Sequence, residues 1–446
     1  EKEKNIMLFE EVLIDFCWGS FLLLLGLLLR SKIRFLQRFF IPVSVIAGIT
    51  GLLLGPNVLG QFCPYYIHWS KHVSEYANPL LAILFITQFL DLHFNKKMIK
   101  KCLSVFSIST VVIASQILIA MTFVKLFHIY DGISLLPFSG FFGAHGLPGT
   151  VAGVFQKVGY WDYNEAFSVG NSFATFGMLW GIFIGIILIN IGVRCLWLVG
   201  GKAGNLSEEE MTGILHERNR GTFMKSLTAS VATDSLAIHV AIVGITLLLG
   251  YGLLDIMHKV ELFSTFAITI PAMFVALLFG IILRKTPLAS FVDGESLEHI
   301  GSTALEFLIA ISVATTDLVV VVQYIVPILV ISVIALSITT FFVLFLSKKW
   351  IKDNWFENAM VMLGSWSGST ATGMMLLHVV DPDLRSDAAR NLIAATPFWQ
   401  LSTQSFYLTI APYIVITAAG FNHLMLGTFV LFVGFMLFGI VVNRKS

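Results

Sequence analysis

The chain has 446 residues, 57% of them hydrophobic and only 12% charged, with a formal net charge of +1. A soluble domain carries roughly twice that charged fraction, and a near-neutral chain has no electrostatic footprint for nucleic acid. These values exclude a soluble globular protein and a nucleic-acid binder, and they leave an all-α polytopic membrane protein.

The opening EKEKN is charged and no small-residue cleavage site follows the first apolar run, so no cleavable leader is expected. Apolar runs of ~20 residues or more can cross a bilayer core of about 30 Å as helices. They predict spans over 9–29, 39–59, 76–94, 103–127 and 166–196. After a polar hinge at 197–228, a second set falls at 235–255, 262–283, 301–323, 325–346 and 392–417. An extra span at 421–442 brings the total to about 11. The four cysteines, Cys17, Cys63, Cys102 and Cys195, are scattered without metal-type spacing and read as apolar filler.

Cytoplasmic loops retain Lys and Arg during insertion. Arg30, Lys32, Arg34 and Arg38 follow the first span, and Lys96, Lys97, Lys100 and Lys101 follow the third. Placing both groups inside puts the hinge (Lys202, Arg218, Arg220, Lys225), Arg284 with Lys285, Lys348 with Lys349 and Lys352, and Arg444 with Lys445 on the same side. The expected topology has the N-terminus outside and the C-terminus in the cytoplasm. It leaves two apolar but Gly-rich stretches, 137–157 and 358–380, outside the count of spans. Letting either cross would invert every later loop, so both are expected to be re-entrant hairpins.

A weak internal repeat supports this reading. IPVSVIAGITG at 41–51 matches IPAMFVALLFG at 270–280, Asp91-Leu92 matches Asp317-Leu318, and Gly143 matches Gly364, at offsets of 229, 226 and 221 residues. Each half holds five spans, an odd number, so the second half must run inverted relative to the first. Repeats of this kind with broken segments at mid-membrane are a signature of secondary transporters. The expected organisation is a first repeat over 1–196, a hinge over 197–228, a second repeat over 229–417 and an extra helix over 418–446.

Irregular backbone at membrane depth survives only where protein or a water-filled cavity satisfies it. Gly143, Gly146 and Gly149, with Pro148 stopping helix propagation, form one expected tip. The run from Gly364 to Gly373, with Ser365, Ser367, Ser369, Thr370 and Thr372, forms the other. Helix starts at such tips attract a carboxylate, while unwound carbonyls and hydroxyls suit a small hard cation such as Na⁺. The following spans are polar in parallel: Asn171 and Thr175 share a helix face, as do Thr396 and Gln400, with Ser402, Thr403, Gln404 and Ser405 nearby.

Substrate contacts are therefore expected from Gly143, Ala144, His145, Gly146, Thr150, Asn171, Thr175, Ser365, Ser367, Ser369, Gln400 and Gln404. Sodium contacts are expected from Thr370, Thr372, Thr316 and Asp317. For each of these polar residues the bland alternative is helix packing or interhelical hydrogen bonding. Asp91 and Asp317 read equally well as interfacial carboxylates, Glu306 lies deeper in its span and is expected to pair with a neighbour, and Lys157 and Arg390 flank the hairpins. No acid–base pair, metal cluster or nucleophile motif is present, so no enzyme is expected.

GAHG at 143–146, with ATFG at 174–177 some thirty residues later, resembles the first Gly-rich hairpin and following helix of the bacterial sodium/glutamate symporter family. Gly364 and Ala371-Thr372 align more loosely with that family's second loop. The resemblance spans roughly residues 10–417. It implies Na⁺-coupled uptake of glutamate or a similar small anionic amino acid or dicarboxylate across the bacterial cytoplasmic membrane, by a homodimer with Na⁺ as coupling ion and no organic cofactor. Similar citrate/sodium symporters imply an elevator movement. Three departures bear on the substrate: Ala144 replaces a glycine, LPG precedes Thr150, and Ser365-Trp366 stands where the family has a His-led pair. The final span is extra to the ten-helix pattern. An H⁺-coupled or passive anion carrier, or a channel, is the alternative.

Overall fold

A computed structural model describes residues 2–38, 41–70, 73–90, 99–143, 145–198, 234–260, 268–287, 289, 292–381 and 385–444. The order is α1 (Lys2–Lys32), α2 (Arg34–Arg38), α3 (Val43–Leu54), α4 (Ala77–Leu90), α5 (Ile99–Phe127), α6 (Leu136–Gly143), α7 (Leu147–Lys157) and α8 (Tyr163–Arg194). It continues with α9 (Ser235–Met257), α10 (Thr269–Leu283), α11 (Gly294–Ala314), α12 (Leu318–Gln323), α13 (Ile325–Trp350), α14 (Trp355–Ser367) and α15 (Thr370–Val380). The chain ends with α16 (Ala388–Trp399), a π-helical turn (Gln400–Gln404), α17 (Ser405–Thr409), α18 (Ala411–Val415) and α19 (Ala418–Asn443). No strand occurs among the described residues.

Eight of the described helical stretches are long and apolar enough to cross a membrane. The protein is a multi-pass membrane protein, but two of the eleven expected spans, the eighth and the tenth, differ among the described residues. The third and seventh are seen in α4 and α10, and residues 91–94 and 262–267 of those expected spans lie outside the described residues. The eighth, expected at 301–323, runs instead over α11 and stops at Ala314, because Asp317 caps a new helix by accepting from the Val319 N–H at 2.8 Å. The tenth, expected at 392–417, is broken three ways into α16, the π turn, α17 and α18. Pro397 and Pro412 each remove a backbone donor along this stretch.

The helices form two compact units that cut across the sequence halves. Unit 1 takes residues 1–92 and 207–316, and unit 2 takes 93–206 and 317–446. In unit 1, α3 packs on α11 and α1, while α10 packs on α4 and α9. Leu22, Ala47, Ile67, Ala310 and Ala314 are buried together there, and α1 is tied to the stretch before α4 by Asp15. Its carboxylate accepts from the Ser70 N–H at 3.0 Å, from the Ser70 hydroxyl and from the Tyr76 hydroxyl at 2.8 Å. A buried carboxylate in a helix this apolar is tolerable because three donors replace its water.

In unit 2, α5 and α13 pack together, and each hairpin packs on helices from both halves of the chain. The α6–α7 pair lies on α8 and on the segment that follows the π turn, while the α14–α15 pair lies on α8 and α16. The extra helix α19 packs on α5, where Ser104 donates to Asn443 at 2.9 Å and Lys125 donates to Asn422 at 2.8 Å. Ala144, Asp91 and almost all of the expected hinge lie outside the described residues.

Candidate functional site

The site is built on α8. Asp162 caps its start, accepting from the N–H groups of Asn164 and Glu165. Gly170, Ala174, Gly177 and Gly181 then recur at helical spacing and leave a flat stripe. At Gly177 an added Cβ would lie 1.9 Å from the Ser367 carbonyl oxygen, so only a hydrogen fits between the helix and the second hairpin. At Gly170 it would lie 2.4 Å from Pro148 of the first hairpin.

The first hairpin breaks between α6 and α7. A Cβ at Gly143 would collide with Leu147, and Pro148 sits at the start of α7 with no N–H to offer. The break brings His145 to α8, where its Nε2 meets the Thr175 hydroxyl at 2.9 Å. The single Thr175 proton goes to the Asn171 carbonyl at 3.0 Å, so Nε2 carries the imidazole proton and donates. In the neutral ring, Nδ1 is then an acceptor. It is buried and has no hydrogen-bond partner among the described residues.

The second hairpin breaks at Gly368–Ser369, between α14 and α15. Ser369 caps α15, accepting from the Thr372 N–H at 3.2 Å, and the two hydroxyls lie 3.1 Å apart. Gly368 lies against Met178 of α8, where an added Cβ would be 2.7 Å from its Cα. Among the last carbonyls of α14, Gly364 O accepts from the N–H groups of Gly368 at 3.1 Å and Ser369 at 3.2 Å, and Trp366 O is taken by Gln116 Nε2 of α5 at 3.2 Å. The contact residues of the two breaks on α8, Thr175 and Gly177, are two positions apart, about 3 Å along the axis.

A family model described as sodium/glutamate symporter matches residues 11–383. The chain belongs to the sodium/glutamate symporter family. It is thus a transporter of the sodium/glutamate symporter type and not an enzyme. None of the curated proteins matches the chain. The matched stretch takes in both hairpins and α8; the broken helix and α19 lie beyond it.

The expected contacts of this symporter separate by what their side chains already do. His145, Thr175, Ser369 and Thr372 gather at the breaks as described. Ser365 is buried there with no partner for its hydroxyl. Gln400 opens the π turn, buried, with its Oε1 unpartnered, and Gln404 closes the same turn, also buried. Such turns inside helices are frequent at functional sites. Thr150 and Asn171 are buried on the elements that flank the first break.

Other hydroxyls are spent locally. Ser367 returns its proton to Leu363 O at 2.7 Å, Thr396 to Leu392 O at 2.9 Å and Ser405 to Gln400 O at 2.6 Å. Thr370 is exposed. Thr316 donates to Ser312 O at 3.0 Å, and Asp317 is occupied as a helix cap. The Asp317 N–H bonds Ser168, about 10 Å along α8 from Thr175, so its carboxylate is not at the breaks.

Three residues were given no site role from sequence. Gln116 lies in the middle of an apolar helix, and its amide nitrogen donates to Thr339 Oγ1 at 2.9 Å as well as to Trp366 O. Trp366 is noted in sequence only as half of a departure from the family's pair and Trp399 reads as an ordinary core residue, yet each buries an indole N–H without a partner among the described residues. Buried polar groups are nearly always bonded, so unpartnered atoms gathered at one place point to water or a ligand. The lone Gln116 in α5 and the departure at Ser365-Trp366 were the available signals; nothing in sequence marks Trp399.

Proposed function

We propose that the protein carries out Na⁺-coupled symport of glutamate or a similar small carboxylate across the bacterial cytoplasmic membrane, with the N-terminus outside and the C-terminus inside. The observation that carries this reading is the convergence of two broken hairpins on one turn of α8. His145 and Ser365 lie at these breaks, and Gln400 follows Trp399, whose ring meets Phe142 of α6; each has a buried polar atom lacking a partner among the described residues. The His145 Nδ1 and Gln400 Oε1 acceptors suit the ammonium of an amino acid.

For the cation, the hydroxyls of Ser365, Ser369 and Thr372 at the second break offer a set of neutral oxygens. No group of three His, Cys, Asp or Glu side chains able to hold a metal occurs among the described residues. Oxygen donors without thiolate or imidazole suit Na⁺ over a transition metal. Na⁺ would order the second break and thereby complete the carboxylate site, so that only the loaded or empty carrier moves. Such coupling requires each ligand to raise the other's affinity.

Swapped packing supports an inverted repeat: α3 on α11 is matched by α10 on α4, and each hairpin meets helices of both halves. An elevator follows if unit 1 is the scaffold and unit 2, which holds both hairpins and α8, is the moving body. A homodimer through the scaffold completes the arrangement. The deciding experiment is uptake of labelled L-glutamate by proteoliposomes. Accumulation is expected only under an inward Na⁺ gradient. Equal accumulation without it sinks Na⁺ coupling, and currents far above carrier turnover would indicate a channel.

A further inference from the structure

In unit 2, three rings join the two breaks and the π turn. Phe142, in the last turn of α6, stacks on Trp366 with centroids 5.5 Å apart and planes 12° apart. The same ring meets Trp399 in an edge-to-face contact, 5.4 Å and 75°. Trp366 is 0% exposed and Trp399 is 5% exposed, and neither Nε1 has a hydrogen-bond partner among the described residues. Trp366 is also held through its backbone, by the bond from Gln116 to its carbonyl. Two buried donors thus stand on one phenylalanine, beside a hairpin tip that brings His145 to α8.

An indole N–H is a donor only, so whatever satisfies these two groups is an acceptor. Neither break contains a lysine or arginine to hold an anion. Hydrogen bonds to an ionised acceptor are the strong ones, and they strengthen where aromatic walls exclude water. We propose that Trp366 and Trp399 are substrate-binding residues whose indole N–H groups donate to a carboxylate of the transported molecule, in place of a basic side chain. The proposal rests on the carboxylate-symport reading above. It gives a role to Trp366, which stands where the resemblance places a different pair, and to Trp399, which lies beyond the family match.

The test is equilibrium binding of L-glutamate, L-aspartate and succinate to the purified full chain at saturating NaCl, with near-UV difference spectra recorded on the same samples. Trp366→Phe and Trp399→Phe keep a ring and remove the N–H. Each is expected to weaken carboxylate binding at least tenfold, and Trp399→Phe to leave Na⁺ binding without substrate unchanged. Trp366→His and Trp399→His return an N–H and are expected to recover part of the loss. In the wild type, carboxylate binding is expected to perturb indole absorption, and this readout decides if a variant fails to fold. If the wild type binds none of the three carboxylates, the symport reading fails. If it binds one, and the Phe variants bind it equally well or no indole signal accompanies binding, the present inference is overturned and the symport reading stands.

Discussion

His145 and Thr175 are thirty residues apart in sequence and 2.9 Å apart between imidazole Nε2 and hydroxyl. The contact sets the tautomer of His145 and turns its Nδ1 into an acceptor. Thr175→Val leaves the buried Nε2–H without a partner, a cost of about 1–3 kcal/mol. Expressed in binding, this corresponds to a KM for glutamate raised on the order of tenfold. Thr175→Ser restores the acceptor and is expected to restore the KM. Initial rates of Na⁺-driven uptake check both variants, and an unchanged KM in Thr175→Val would remove His145 from the substrate site.

Gly177 and Gly153 should respond oppositely to the same substitution. At Gly177 the new methyl group meets a backbone carbonyl at 1.9 Å, which no rotamer can relieve. Gly177→Ala is therefore expected to abolish uptake and to destabilise the protein by about 1–3 kcal/mol. Nothing lies within 4 Å of a Cβ at Gly153, so Gly153→Ala in α7 is expected to stabilise by about 0.5–1 kcal/mol. Thermal unfolding midpoints of the two purified variants decide the matter.

Gln116 connects three elements through one amide. Gln116→Leu removes the donor to Thr339 and to Trp366 O together, at a cost of about 1–3 kcal/mol for the groups left unbonded. Because Trp366 belongs to the last turn before the second break, the half-saturating Na⁺ concentration is expected to rise as well. A double-mutant cycle with Thr339→Ala should return a coupling of about 0.5–3 kcal/mol. Additive losses would show that the Gln116–Thr339 bond contributes nothing.

Asp381 follows α15 and accepts from the N–H groups of Arg385 at 2.9 Å and Ser386 at 2.7 Å. Burial opposes its charge, but the hydrogen bonds from Ser386 and Arg385 outweigh burial and hold its pKa below the ordinary carboxylate value. A depressed native pKa stabilises the folded state above the unfolded pKa of about 4, and this contribution fades as pH falls through the native value. Asp381→Asn is thus expected to lower the unfolding midpoint at pH 7. The gap to wild type should narrow as the pH drops below about 4; a gap independent of pH would refute the assignment.

Membrane class, both Gly-rich interruptions and the family were legible in the sequence because hydropathy and helix breaking act over short stretches. Twenty apolar residues choose a helix in lipid whatever their neighbours are, and Gly143 with Pro148 interrupts one anywhere. Span lengths were less legible. The break at Asp317 depends on a capping bond, and the π turn at Gln400–Gln404 depends on how the helix after the second hairpin packs, so both runs read as continuous in hydropathy.

The site residues divide along the same line. Sequence by itself determined that hydroxyls and one histidine sit at the two interruptions, since composition is a local property. Only the tertiary structure decided which of them have polar atoms to spare. Ser367, Thr396 and Ser405 spend their protons on nearby backbone carbonyls, whereas the Ser365 hydroxyl and Gln400 Oε1 have no partner among the described residues. It also decided that Gln116, Trp366 and Trp399 belong at the breaks. Whether a buried donor or acceptor is satisfied depends on what folding brings within 3 Å of it, and helical periodicity carries no record of partners more than two hundred residues away.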